Sequence, residues 1–205
     1  MKKLNKKEFN KLDAVFSVKI TEDVYTLAQH RGNTYFEFFD IFFTKPDNDR
    51  EIYTNLNKFN VLFTISCAAN RLKDFFIRLE DSIQPNSRTV DTIYLHPFHY
   101  LLSSSQEINE NKKCTSLVKL TDIFQTGSTS YDVLIECLDY QEHYDYIYNH
   151  SILGMVGNSN KLKSLLKKYI ETGVLWGEDK QFLFPTIEPC SQKIPTIYPV
   201  NKFYK

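Results

Sequence analysis

The stretch Asp23–Phe43, DVYTLAQHRGNTYFEFFDIFF, constrains the fold of this chain more than any other. Two apolar runs, Val24 to Ala28 and Tyr35 to Phe43, flank His30-Arg31-Gly32-Asn33-Thr34. Gly32 and Asn33 tolerate positive φ, so the spacing predicts a strand–turn–strand hairpin. Its rings bury large areas and should dominate the core of whatever sheet forms around it. Aromatic residues make up 15% of the chain, with thirteen Tyr and sixteen Phe, which favours sheet over helical bundle.

Around the hairpin, partial alternation over Asp13 to Thr21 predicts a first strand, and Val61 to Cys67 a short buried one. Phe75 to Leu79 and Thr92 to His96 read as further strands, the last ended by Pro97. Thr44 to Asn60 reads as a polar connection, and Glu80 to Arg88 as a loop in which Glu80 and Asp81 are solvated. Leu162, Leu165, Leu166, Tyr169 and Ile170 recur at helical spacing, with lysines outside, asparagines to cap and Gly173 to stop the helix. Tyr131 to Leu138 fits helix and strand equally, and the proline-rich tail from Phe182 reads as extended over the surface. The expected fold is therefore α+β and mainly antiparallel β. A curved or barrel-like N-terminal sheet carries a C-terminal amphipathic helix packed on it. A basic lead-in over 1–12, a β domain over 13–102 and an α+β part over 117–205 are expected, with the last two forming one domain or two.

Composition narrows function mostly by exclusion. Twenty-five basic and twenty-five acidic residues leave no net charge, so a general nucleic-acid binder is disfavoured. Cys67, Cys114, Cys137 and Cys190 form no CxxC pair and read as thiols in a reducing compartment. The basic N-terminus leads into no apolar segment, and no run approaches a membrane span, so a cytoplasmic protein with no membrane partner is expected. His96 and His99 form a tight pair, but the intervening Pro97 argues against helical metal-ligand geometry. Glycine-rich phosphate cradles and nucleophile elbows are absent. No cofactor, metal or catalytic residue is expected.

One stretch carries an electrostatic signature. No Lys or Arg occurs between Leu120 and Asn160, while Glu136, Asp139, Glu142 and Asp145 alternate with Tyr140, Tyr144, Tyr146 and Tyr148. Carboxylates steer basic partners, and tyrosines supply contact area at low entropic cost, so these eight residues are the candidate partner-binding set.

Val24-Tyr25-Thr26-Leu27-Ala28-Gln29, then Phe36-Glu37-Phe38-Phe39-Asp40-Ile41, then Val61-Leu62-Phe63 form a series of strands. In this series the chain resembles the bacterial polymorphic-toxin immunity proteins of the family numbered twenty-six. The resemblance covers about the first eighty residues and includes, more weakly, the helix ending Tyr169-Ile170-Glu171-Thr172-Gly173. It implies a non-catalytic cytosolic antidote that binds and blocks a cognate toxin domain. Two other classes remain open: a small hydrolase or metal-dependent enzyme with a site near His96 and His99, and a β-barrel that binds RNA or a small ligand.

Overall fold

In a computed structural model of the protein, residues 4, 6–47, 49–67, 72, 75–97, 114–122, 130–190 and 192–205 are described. Gly32 (φ 109°) and Asn33 (φ 49°) reverse the chain between β2 (Val24–Gly32) and β3 (Tyr35–Thr44). The pair is antiparallel, with Gln29 opposite Glu37 and Val24 opposite Thr44. Around this hairpin lie β1 (Val15–Lys19), β4 (Val61–Cys67), β5 (Phe76–Leu79) and β9 (Met155–Val156), in the order β5-β1-β2-β3-β4-β9. A tenth strand, β10 (Ile197–Tyr198), runs parallel to the end of β3, opposite Phe42 and Phe43. The fold is α+β and mostly antiparallel, with this sheet curled into a half-barrel.

Successive side chains of a strand point to opposite faces, and here both faces are buried. On one, Phe16, Val18, Phe36, Phe38 and Phe42 share a cluster with Phe75, Phe76 and two leucines of the long helix. That helix, Ser159–Thr172, is the longest helical run among the described residues. A short helix α1 (Lys6–Phe9) precedes it in the chain, as does α2 (Tyr144–Asn149); the long helix is α3, and α4 (Glu178–Leu183) follows. The Asn158 side chain caps α3 by accepting from the Asn160 N–H at 2.9 Å. Gly173 closes it at φ 73°, where an added Cβ would lie 2.6 Å from the Lys193 carbonyl oxygen. Leu162 and Leu166 are buried, Tyr169 and Ile170 half-buried, and Lys167 and Lys168 exposed.

The opposite face is covered from distant parts of the chain. Tyr25, Leu27, Phe39, Ile41 and Phe43 pack with Ile52, Leu56, Ile83, Val200 and Phe203. Two expectations are corrected here. The 44–60 connection is more than polar, because Ile52 and Leu56 are fully buried. The tail does not simply lie over the surface: it begins in the last two residues of α4, pairs as β10, and plants Val200 and Phe203 in this core.

A second, three-stranded antiparallel sheet joins β6 (Ile93–His96), β7 (Ser116–Leu120) and β8 (Tyr131–Ile135) in that order. Tyr131 to Ile135, open between helix and strand in sequence, is therefore strand. Because β6 pairs with β7, this sheet draws on both sides of the boundary expected at 103–116, most of which lies outside the described residues. Leu95 and Leu117 share a third core with Ile147, Val174, Trp176 and Phe184. Among the described residues no helix is long and apolar enough to cross a membrane.

Candidate functional site

The acidic, tyrosine-bearing segment begins where β8 ends. Cys137 turns at φ 45° and is bonded to Cys114, across a Cα separation of 4.8 Å. This corrects the reading of all four cysteines as thiols. Antiparallel pairing of β7 with β8 brings residues 23 apart in sequence side by side, which spacing alone does not reveal. It also removes the cysteine argument for a reducing compartment. Cys67 is a buried thiol and Cys190 an exposed one.

Beyond the disulfide, the Leu138 N–H donates to the Thr115 carbonyl at 2.7 Å. Asp139 then organises a turn: its Oδ1 accepts from the Gln141 and Glu142 N–H groups at 2.8 and 3.1 Å. The turn leads into α2, which divides the tyrosines. Tyr144 and Tyr148 stack on each other at 5.5 Å and are half-buried against the third core, with Tyr148 6.4 Å from Trp176. Tyr140 and Tyr146 are exposed, Tyr146 lying parallel to the His150 ring. Glu136, Asp139, Glu142 and Asp145 are all exposed. The eight residues thus form one continuous segment, of which four carboxylates and two rings face outward.

Beside it lies a cleft of about 460 Å³, bordered by Leu138, Asp139 and Tyr140 on one wall and Phe182, Pro185 and Thr186 on the other. Phe182 is 76% exposed, the highest of any large apolar side chain among the described residues. Sequence reasoning missed it, and the only available signal was its place on the polar side of a short helix.

Lys180, on the inner side of the same helix, is buried. Its Nζ donates to the Tyr148 carbonyl at 2.8 Å and sits 5.5 Å from the Trp176 ring centre. Burial pulls its ammonium down to about 7. Between that value and the ordinary lysine range the unfolded chain holds the proton and the folded chain does not, so stability rises with pH across this window. Lys180→Met should accordingly be more stable than wild type near pH 6 in urea denaturation, and the gain should vanish by about pH 10. A constant difference across pH would show that Lys180 does not titrate as a buried amine.

A second polar layer lies inside the half-barrel. Asn86 Nδ2 donates to Glu37 Oε2 at 2.8 Å, and Arg31 Nη1 stands 3.4 Å from the same oxygen. Gln29 Oε1 accepts from the Asn86 N–H at 2.6 Å. Glu80, expected in solvent, is instead buried, accepting from Ser17 and Arg78. Burial raises the carboxyls of both Glu37 and Glu80 above their ordinary range, against the lowering by these partners. This layer clamps the 80–88 loop onto the sheet.

Of the pair His96 and His99, His99 lies outside the described residues, and the His96 ring packs on Tyr131 at 5.0 Å. Among the described residues no group of three or more His, Cys, Asp or Glu is placed to hold a metal ion.

A profile of the family described as Domain of unknown function (DUF8309) matches residues 3–188. No curated protein and no solved structure matches the chain.

Proposed function

For this chain, which belongs to the DUF8309 family, we propose a role as a non-catalytic binding protein that neutralises a cognate toxin domain through the 136–148 face. The observation that carries the proposal is the outward display of Glu136, Asp139, Glu142, Asp145, Tyr140 and Tyr146 beside a cleft flanked by exposed Phe182. Exposed carboxylates speed encounter with a basic surface, while aromatic side chains beside a cleft supply the desolvated contact that slows dissociation. The disulfide and the Asp139 turn hold the segment in one shape before binding, which lowers the ordering cost. That the partner is a toxin domain rests on the resemblance of the first eighty residues to immunity proteins. No cofactor enters the proposal.

The electrostatic part is tested by charge reversal at Glu136, Glu142 and Asp145. Asp139 is left in place because its carboxylate caps the turn. The triple Lys variant should associate with the toxin encoded beside this gene about tenfold or more slowly at low salt, and the difference should shrink as salt rises. Unfolding should change little. Equal association rates at low ionic strength would place the interface elsewhere. Growth rescue by a His96→Ala/His99→Ala variant separates this reading from a metal enzyme: rescue should persist, and its loss together with bound zinc would favour the enzyme.

A further inference from the structure

Where α2 ends, a second and smaller cleft of about 120 Å³ opens between β4 and the start of β6. Its polar lining comes from Thr64, Asp91, Tyr94, Asn149, His150 and Ser151, with aliphatic and ring atoms completing the wall. The volume is that of about four waters, too small for a nucleotide or a sugar chain. No Lys or Arg lines it.

The lining is rich in acceptors. The Asp91 carboxylate stands 4.0 Å from His150 Nδ1, and burial pushes the His150 imidazole below its ordinary range. Tyr94 and Thr64 are buried, and their hydroxyl oxygens have no hydrogen-bond partner. Buried hydroxyls are rarely left so, and each unmade bond costs free energy. Thr64 stands opposite Glu37 in the β3–β4 register, so a second carboxylate lies behind this wall. Burial raises the Tyr94 hydroxyl above its ordinary range, with smaller contributions from Tyr35, Asp91 and Glu37.

We infer that this cleft receives a guanidinium group carried on an arginine side chain of the protein partner. A guanidinium brings five N–H donors and no acceptor, in a planar fork that matches a carboxylate. Its flat face can also lie on an exposed aromatic ring, and Tyr146 lies parallel at 6.3 Å to His150, which lines the cleft. That the arginine belongs to a protein rests on the partner-binding reading of residues 136–148, because α2 runs from that acidic turn to His150.

The probe is N-acetyl-L-argininamide, titrated into the full chain while the His150 ring protons are followed by NMR. A saturable shift is expected, weakened about tenfold in Asp91→Asn, which removes the charge but keeps the acceptor that holds the Ile93 N–H at 3.0 Å. Thr64→Val, of similar size, should weaken it by a smaller factor with circular dichroism unchanged. Absence of a saturable shift, an unchanged affinity in Asp91→Asn, or competition by inorganic phosphate would each overturn the inference. If the probe binds as expected while charge reversal at Glu136, Glu142 and Asp145 leaves partner association unaltered, the cleft stands and the partner-binding reading falls.

Discussion

Glu37→Ala is expected to lower the unfolding free energy by about 3–5 kcal/mol, the range for removing one member of a buried charged pair. Glu37 is 1% exposed and the Arg31 side chain 10%. Without the carboxylate, the guanidinium keeps its donation to the Arg88 carbonyl at 2.8 Å and to the Asn86 carbonyl, but loses its nearest buried negative charge. Asn86 Nδ2 loses its acceptor as well. Urea denaturation followed by circular dichroism measures the loss, and a value under about 1 kcal/mol would show that water enters and solvates the gap. The pH dependence has a definite sign. Because burial raises the folded carboxyl above its unfolded value, the stability it contributes is fully present below the unfolded value and is lost as pH climbs through the folded one. The advantage of wild type over Glu37→Gln should therefore be greatest in acid and shrink towards neutral pH.

Leu166→Ala should cost about 2–5 kcal/mol, the range for a large-to-small change in a closed core. Leu166 is fully buried in one cluster with Phe36, Phe38 and Phe42. Leu165→Ala, at a half-buried position beside the cleft between α3 and α4, should cost clearly less. Equal losses in the two variants would mean that α3 sits on the sheet through a broad, loose contact rather than through the Leu162–Leu166 stripe.

The hairpin and α3 were legible because local chemistry and global position agree. Gly32-Asn33 specifies a turn, and the leucine spacing with Asn158 and Gly173 specifies a helix whatever lies beside it. β10 was not legible, since two residues carry no period, and its partner lies 155 positions away at Phe42. The buried polar layer left a faint trace: Gln29 and Glu37 interrupt apolar runs and face each other once the hairpin closes. Nothing local says that Asn86 and Arg88 return to meet them. At the candidate interface, charge alone marked the segment, whereas the division of its tyrosines depends on the rotation of α2. Tyr144 and Tyr148 turn inward while Tyr140 and Tyr146 remain outside.

The docking of β10 and its neighbours also sets a schedule for biosynthesis. The Val200 N–H donates to Thr44 Oγ1 at 3.0 Å, the Tyr53 N–H to the Phe203 carbonyl at 2.8 Å, and the Asp47 N–H to the Tyr204 hydroxyl at 2.6 Å. Each contact joins the first third of the chain to residues translated more than 140 positions later. While the ribosome is still extending the chain, the hairpin can close, the β3–β4 pair can form, and Ile52, Leu56 and Ile83 can cover part of the face bearing Phe39, Ile41 and Phe43, but Val200 and Phe203 join it only after residues 197–204 emerge. Contacts so distant in sequence carry a large loop-closure entropy and form late. For that interval part of an aromatic surface of the nascent protein stays open to whichever factor attends the exit tunnel, and the docking of residues 197–204 closes it.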